Sequence, residues 1–252
     1  MNRVALVTGA GSGIGSAIAA HLATCDYQVI VSDVSIESAQ KMVDAIVEKG
    51  GNAEACELNV TSAEHIDHAI KQAGRIDVLV NNAGIQHVSR LDEFPVDRWK
   101  LITEILLTGP AMMTRAALPL MREQGFGRII NIGSIHSIIA SPFKSAYVAA
   151  KHGLIGFSKV VALETADTDI TINTICPSYV KTPLVEQQIK NQAKEHGITE
   201  EEVIQEIMLA PMPKKSFIDT QEIAETVDYL ISPGAKNMTG QTIILDGGWT
   251  AR

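Results

Sequence analysis

Short apolar runs alternate with longer segments of helical periodicity along the whole chain. The runs are mostly rich in Val and Ile, as buried strands are, and they lie at 4–7, 28–32, 53–58, 76–80, 128–132, 170–175 and 242–245. Most are apolar throughout rather than alternating, which is typical of parallel sheets covered on both faces. The pattern predicts a doubly wound α/β fold with seven strands.

Two intervening segments have apolar residues at i, i+3, i+4 and i+7, the spacing of a one-faced helix. They contain Ala39, Met42, Val43 and Ile46, and Ile66, Ala69, Ile70 and Ala73. Helix N-termini are predicted at two capping boxes, Thr61-x-x-Glu64 and Asp219-x-x-Glu222.

The stretch 182–216 interrupts this alternation. It is longer than a usual connection, partly helical and rich in Glu and Lys, and it ends near Ala210-Pro-Met-Pro213. We predict a helical substrate lid within a single domain spanning 1–252. The alternative is a surface insertion that only packs.

Composition narrows the class of protein. With 46% apolar and 20% charged residues, the 252-residue chain is typical of a soluble globular domain. A net charge of −8 has the wrong sign for neutralising nucleic-acid phosphates. No uninterrupted apolar run reaches the length of about 18 residues that spans a bilayer. We therefore expect neither nucleic-acid nor membrane binding.

The cysteines and the N-terminal sequence indicate the compartment. Cys25, Cys56 and Cys176 form no CxxC pair, and we predict neither a disulfide framework nor a metal site. The chain runs from Met1 directly into its first apolar run, without the pattern of an export signal. We expect a cytoplasmic protein.

A glycine-rich turn follows the first strand: Thr8-Gly-Ala-Gly-Ser-Gly-Ile-Gly15. It opens a helix whose inner face carries Ile14, Ile18 and Leu22. Glycines let a pyrophosphate approach the backbone, and a helix N-terminus offers free N–H groups. The alternative is a simple tight turn. We predict dinucleotide contacts at Gly9, Ser12, Gly13, Ile14 and Gly15.

Asp33 stands at the end of the second strand. A carboxylate there can accept hydrogen bonds from both ribose hydroxyls of an adenosine, whereas it would repel a 2′-phosphate. No Arg or Lys stands beside it. We therefore predict NAD rather than NADP, the alternative being a cap or turn role for Asp33.

Ser134 follows the fifth strand, and Tyr147 and Lys151 share one face of a predicted helix. A tyrosine serves as a base near neutral pH only if its phenolate is stabilised, and an ammonium one turn away can do this. Ser134 could then hydrogen-bond the reacting oxygen. The three residues could thus serve proton transfer at a carbon that bears a hydroxyl group. The alternative is a chance spacing without function, because Tyr-x-x-x-Lys is common as a bare pattern.

Together these motifs resemble the short-chain dehydrogenase/reductase family over nearly the whole chain. Asn81-Asn-Ala-Gly84 also matches a family motif, and Ser134, Tyr147 and Lys151 match its catalytic residues. The resemblance implies a Rossmann fold and a homotetramer assembled through 99–122 and 151–164. It implies further cofactor contacts at Asn59, Val60, Asn82, Ala83, Gly84, Tyr147, Lys151, Pro177, Val180 and Thr182.

Three positions depart from the family pattern. Ser178 replaces a glycine, and Asn59 replaces an aspartate but can still accept a hydrogen bond from an adenine amine. Leu106 stands where a catalytic asparagine is usual, and leucine cannot bind a relay water. A proton leaving Lys151 must then use a backbone carbonyl, another side chain or a different water chain, unless the helix register is shifted.

Within the family, the resemblance is strongest to members that oxidise 3-hydroxybutyrate. A small anionic hydroxy acid needs cations and amides around its carboxylate. We predict substrate contacts at Gln86, Ser134, His136, Lys144, Tyr147, Gln188 and Trp249, and structural roles for His87 and His152. Taken singly, Lys144 and Gln188 could be surface residues, His136 a loop residue, and Trp249 a residue that packs the C-terminus against a neighbouring subunit.

These inferences predict NAD-dependent, reversible oxidation of (R)-3-hydroxybutyrate to acetoacetate. One alternative is another activity of the same family, such as reduction of 3-oxoacyl thioesters. A second is a non-catalytic NAD-binding protein, suggested by Leu106.

Overall fold

The computed structural model describes residues 3–251, except for the side chains of residues 184, 191, 195 and 196. Residues 1, 2 and 252 of the predicted domain therefore lie outside the described residues. The remainder forms one domain around a seven-stranded parallel sheet in the order β3-β2-β1-β4-β5-β6-β7. The strands are β1 (Val4–Thr8), β2 (Gln28–Asp33), β3 (Asn52–Glu57), β4 (Val78–Asn81), β5 (Gly127–Ile132), β6 (Ile170–Pro177) and β7 (Thr242–Leu245).

All seven predicted strands are confirmed, with ends that differ by at most two residues. Parallel pairing places Val7 beside Val31 and Val80, so the carboxyl ends of β1, β2 and β4 meet at one edge of the sheet. Strand order reverses between β1 and β4. Open α/β sheets bind ligands at such a switch point.

Helices cover both faces, as predicted. They are α1 (Gly13–Thr24), α2 (Ile36–Glu48), α3 (Ala63–Ala73), α4 (Val96–Thr103), α5 (Gly109–Gln124), α6 (Ser145–Glu164), α7 (Pro183–His196), α8 (Glu200–Glu202) and α9 (Thr220–Ile231). π-helical segments, Glu104–Thr108 and Val203–Met208, connect α4 to α5 and follow α8.

Two hydrophobic clusters hold the layers together. One packs α1, α2 and α9 on one face of the sheet, and the other packs α3, α5 and α6 on the opposite face. Ile18 and Leu22 of α1 and Ala39, Val43 and Ile46 of α2 are buried, which confirms the helical faces read from the apolar spacing.

One predicted helix start is confirmed and one is wrong. Asp219 and Glu222 form a reciprocal capping box at α9. At α3, however, the N-cap is Ser62, whose hydroxyl accepts the N–H of His65. The Thr61 hydroxyl instead donates to Oδ1 of Asn59 at 2.8 Å, so Thr61 is held in the preceding turn.

The stretch 182–216 contains α7, α8 and the Val203–Met208 segment. Ile189, Val203 and Met208 form a small core of their own, with Tyr179 and Phe217 packed against it. That this stretch closes as a lid stays a prediction. Among the described residues, no helix combines the length and apolar character needed to cross a lipid bilayer.

Candidate active site

A cleft of about 530 Å³ opens at the carboxyl edge of the sheet. Most of the residues predicted from sequence line it together, including both Asp33 and Lys144. Gly15 and Trp249 are the two predicted residues that do not line it. The members that do are Gly9, Ser12, Gly13, Ile14, Asp33, Asn59, Val60, Asn82, Ala83, Gly84, Gln86, Ser134, His136, Lys144, Tyr147, Lys151, Pro177, Val180, Thr182 and Gln188.

The glycine turn leaves the N-terminus of α1 facing the cleft. Ser12 is the N-cap residue, and within the described part of the chain its side chain caps no N–H of the helix. The first-turn N–H groups are therefore available to an anion. Gly13 has φ of +59°, a left-handed conformation that favours glycine. This turn fits the pyrophosphate of a dinucleotide.

Asp33 is held in place by two main-chain N–H groups. Gly11 donates to Oδ2 at 3.0 Å and Ser35 donates to Oδ1 at 3.1 Å. A Cβ at Gly11 would lie 2.9 Å from Oδ2, so the turn and the carboxylate fit together only with glycine. Each oxygen keeps a lone pair for a ribose hydroxyl.

The loop after β4 is tied to the glycine turn. Thr8 Oγ1 accepts the N–H groups of Asn82 and Ala83 at 3.0 Å, and Asn82 Nδ2 donates to the carbonyls of Thr8 and Gly9. These bonds align two strand ends across the switch point. Asn82 therefore shapes the cofactor cleft as well as lining it.

Two departures from the family pattern have a local explanation. Ser178 does not have positive φ, and its N–H donates to Leu245, so the backbone there requires no glycine. Asn59 Oδ1 accepts both the N–H and the hydroxyl of Thr61. The role of Asn59 as an acceptor for an adenine amine stays a prediction, because its oxygen already has two donors.

Ser134 begins a 3₁₀ turn, Ile135–Ser137, at the end of β5. Its Oγ accepts the N–H of His136 at 3.2 Å, and Ser137 Oγ accepts the N–H of Ser134. Because the Ser134 oxygen is engaged as an acceptor, its O–H is available to donate. The buried Ser134 also hydrogen-bonds Tyr147.

Tyr147 and Lys151 lie one turn apart on α6, as predicted, with Lys151 Nζ 5.7 Å from the centroid of the Tyr147 ring. Burial raises the pKa of Tyr147, and its hydrogen bond with Ser134 opposes that rise. Burial lowers the pKa of Lys151 to about 8. The ammonium therefore lies near the Tyr147 ring, in a site where its charge is poorly solvated.

Lys151 donates to the backbone carbonyl of Ile132 at 2.5 Å. Leu106 lines the cleft from the π-helical segment and packs toward Gly84. That it occupies the position of the family's catalytic asparagine stays a prediction. A backbone carbonyl is one of the groups through which a proton could leave Lys151 in the absence of an asparagine at position 106. The Ile132 carbonyl is the first hydrogen-bond partner of Lys151 on any such route.

His136 and Lys144 line the cleft together with Ser134 and Tyr147. His136 Nε2 is 2.7 Å from Ser141 Oγ, and Nδ1 is 3.4 Å from Ser134 Oγ. Burial, assisted by the Lys144 charge, lowers the pKa of His136 to about 4, so the ring is neutral near pH 7. Lys144 is half-buried, and burial lowers its pKa.

One wall of the cleft contains a residue that was not predicted from the sequence. Tyr179 lines the cleft, with Lys144 Nζ 5.8 Å from its ring centroid. The ring of Trp249, which was predicted to contact the substrate, stacks on Tyr179 and makes a T-shaped contact with the His136 ring. Trp249 does not line the cleft, and its contact with the substrate stays a prediction. The position of Tyr179 between Pro177 and Val180 was the available signal.

The remaining amides and histidines have simple surroundings. Gln86 and Gln188 line the cleft, and Oε1 of Gln86 is a buried acceptor without a partner among the described residues. His87 meets the edge of Phe94, and His152 bonds the carbonyl of Val148 on its own helix. Neither histidine lines the cleft.

The chain is similar to known proteins over nearly its whole length. Residues 9–250 match a family model described as enoyl-(acyl carrier protein) reductase. The chain is 42% identical to a D-beta-hydroxybutyrate dehydrogenase of Rhizobium meliloti (strain 1021), with all of both chains covered. It is 38% identical to a 3-oxoacyl-[acyl-carrier-protein] reductase of Synechocystis sp., covering 98% of this chain and 96% of the relative.

A solved structure of an actinorhodin polyketide ketoreductase variant with NADPH superposes with a TM-score of 0.93. It is 34% identical and covers 100% of this chain and 98% of its own. The parallel sheet, the glycine turn and the Ser134, Tyr147 and Lys151 set are thus accompanied by full-length sequence and structural similarity. The chain is an oxidoreductase that belongs to the short-chain dehydrogenase/reductase family.

Proposed function

We propose that this oxidoreductase converts (R)-3-hydroxybutyrate to acetoacetate reversibly, with NAD as the cofactor. The observation that carries the proposal is Lys144, a half-buried cation in the cleft beside Ser134 and Tyr147. Among the described side chains, no carboxylate forms a salt bridge with it. A small substrate carboxylate would supply the missing counter-charge in a protein of net charge −8.

Polar groups at the same end of the cleft complement a hydroxy acid. The Gln86 and Gln188 amides can donate to its carboxylate, and the neutral His136 ring adds a further polar contact. Tyr179 and Ile135 provide apolar surface for the short carbon chain. Holding the carboxylate fixes the hydroxyl relative to Tyr147, which is the main requirement for an oriented hydride donor.

Ser134 and Tyr147 then act on the hydroxyl group. The Tyr147 phenolate accepts the hydroxyl proton, the C–H bond of the carbinol breaks with loss of hydride, and the C–O single bond becomes a carbonyl. Ser134 donates its O–H to the reacting oxygen and holds it against Tyr147. The Lys151 ammonium stabilises the phenolate electrostatically.

NAD, when bound, would accept the hydride. The residues that would hold it are the turn at Gly9 to Gly15 for the pyrophosphate, Asp33 for the adenosine ribose, and Val180 and Thr182 near the nicotinamide. The preference for NAD rests on Asp33, because its two oxygens would repel a 2′-phosphate.

Reduction of 3-oxoacyl thioesters is the second candidate, favoured by the similarity to the Synechocystis reductase. That reaction needs the same Ser134, Tyr147 and Lys151, but its substrate has no carboxylate at the reacting end. Lys144 and Asp33 therefore favour the hydroxy acid and NAD.

We also propose a cytoplasmic homotetramer formed through α5 and α6. Support comes from exposed apolar side chains on these helices, notably Leu163, Val160 and Met112.

The test is NADH formation with (R)-3-hydroxybutyrate, compared with the S enantiomer, a secondary alcohol without a carboxylate, and NADP in place of NAD. The second candidate is tested by the reduction of an acetoacetyl thioester with NADPH. We expect turnover of the R acid with NAD alone. Preferential reduction of the thioester would replace the proposed substrate, and NAD binding without any turnover would favour a non-catalytic role.

A further inference from the structure

Three metal-ligating side chains of different chemistry converge far from the cleft. His21 lies in the last turn of α1, Cys25 ends that helix, and Asp228 lies on α9, which packs against α1. One ligand atom from each residue lies within 4.8 Å of the other two. No metal site was predicted from the sequence, although His21 and Cys25 are spaced by one helical turn.

We propose that His21, Cys25 and Asp228 bind a divalent transition metal such as Zn²⁺. An imidazole nitrogen, a thiolate and a carboxylate are all ligands that Zn²⁺ accepts in tetrahedral sites. His21 Nε2 and Cys25 Sγ are 3.8 Å apart. Zn–N and Zn–S bonds at tetrahedral angles separate two such atoms by about 3.5 Å, so a small rotation of either side chain completes the pair.

Cys25 already contacts the third ligand. Its thiol is hydrogen-bonded to Asp228 and also lies near Thr24 Oγ1, at 4.0 Å. Replacement of the thiol proton by the metal would join the same sulfur and carboxylate through one ion. The released proton goes to solvent, and water can fill the fourth position.

Gln221 supports the metal-binding form of His21. Its amide nitrogen is 3.4 Å from His21 Nδ1, the ring nitrogen that does not face Cys25. When Nε2 binds a metal, Nδ1 carries the proton, and a rotated Gln221 amide presents its oxygen as the acceptor. Metal-binding histidines commonly donate their second N–H to such a group.

The position of the site favours a cation and separates it from the reaction. Cys25 is the C-cap of α1, at the negative end of the helix dipole. The cleft is at the opposite end of this 12-residue helix, about 18 Å away by helical rise. A metal here would fasten α1 to α9 without contacting cofactor or substrate.

The experiment uses tag-free, full-length protein treated with a chelator and then titrated with Co²⁺. We expect one equivalent to produce a sulfur-to-cobalt charge-transfer band and tetrahedral d–d bands, which Zn²⁺ abolishes. His21→Ala, Cys25→Ser and Asp228→Ala should each weaken binding at least tenfold. His68→Ala removes an exposed histidine elsewhere and should bind like the parent. Octahedral Co²⁺ spectra, or parental binding by Cys25→Ser, would overturn the proposal.

A second measurement uses the unaltered chain, so it does not depend on the variants folding. Zn²⁺ should slow alkylation of Cys25 by iodoacetamide at least tenfold, measured by peptide mass spectrometry. Cys56 and Cys176 are buried and serve as internal references for the folded state. Equal alkylation of Cys25 with and without Zn²⁺ would contradict the site, whatever the enzyme activity.

Discussion

The N–H of Gly11 and Oδ2 of Asp33 are 3.0 Å apart, and this bond orients the carboxylate toward the cofactor cleft. The arrangement joins a glycine of the turn after β1 to the acid that we propose discriminates between NAD and NADP. A larger residue at Gly11 would meet Asp33 and Ser38 at less than 3.0 Å. If Asp33 selects the cofactor as proposed, the turn and the carboxylate act together in that selection.

Asp33→Ser should shift the enzyme toward NADP. Loss of the charge removes repulsion of a 2′-phosphate and also removes acceptors for the ribose hydroxyls. We expect the ratio of kcat/KM for NADP to that for NAD to rise at least tenfold, which corresponds to about 1.4 kcal/mol. Asp44→Ser, an exposed change on α2, is the matched control. An unchanged ratio would remove Asp33 from cofactor selection.

Tyr147→Phe should abolish turnover without loss of NAD binding. The variant keeps the ring against His136 but lacks the hydroxyl that bonds Ser134. We expect kcat to fall by about 10² to 10⁴, the usual contribution of a positioned acid or base. NAD affinity, measured by calorimetry, should stay within a few-fold of the parent. Retained turnover would refute the assignment of Tyr147 as the base.

Lys144→Ala should affect the hydroxy acid and spare the cofactor. A hydrogen bond to a charged group contributes about 1.5 to 3 kcal/mol, so KM for (R)-3-hydroxybutyrate should rise about tenfold to a hundredfold. KM for NAD should not change. Lys181→Ala removes an exposed lysine that does not line the cleft and controls for net charge. If both variants give the same KM, Lys144 does not bind the carboxylate.

The sequence predicted the sheet, and it brought the candidate catalytic residues together, because both depend on local patterns. Apolar runs defined the seven strands, and Tyr147 and Lys151 needed only helical spacing to share a face. Ser134 follows a strand end, and parallel strands bring such ends together at one edge of the sheet. These relationships require no knowledge of side-chain packing.

Contacts between distant segments were less predictable. Tyr179, and not Trp249, lines the cleft. This depends on how the C-terminal segment places the Trp249 ring against Tyr179. Thr61 and Ser62 both carry hydroxyls that could cap α3. Ser62 is the N-cap because the Thr61 hydroxyl is hydrogen-bonded to Asn59. The juxtaposition of His21 and Cys25 with Asp228 depends on how α9 docks on α1. None of these follows from periodicity.

Lys151→Met should stabilise the fold while abolishing catalysis. The Lys151 ammonium is buried and its pKa is lowered to about 8, so its charge is destabilising in the folded state. Methionine has similar length and carries no charge. Loss of the bond to Ile132 offsets part of the gain, and we expect the free energy of unfolding to rise by about 1 kcal/mol. Thermal denaturation and kcat measured together test this, and a lower Tm would contradict it.

His136 should make the protein sensitive to acid over a defined range. Its pKa is lowered from 6.5 to about 4 in the folded state by burial and by the Lys144 charge. Between these pH values the unfolded chain binds more protons than the folded one, so stability is lost as pH falls from 6.5 toward 4. The contribution is on the order of 3 kcal/mol.

His136→Gln removes the titrating group while keeping a polar side chain near Ser141. We expect the free energy of unfolding of this variant, measured by urea denaturation, to fall less steeply than that of the parent between pH 6.5 and 4. Comparison of slopes cancels the carboxylates that titrate in both proteins. If the free energy of unfolding falls equally steeply with pH in the parent and in His136→Gln, the pKa of His136 is not lowered by folding. The ring would then be solvated rather than enclosed by Ser134, Tyr147 and Trp249.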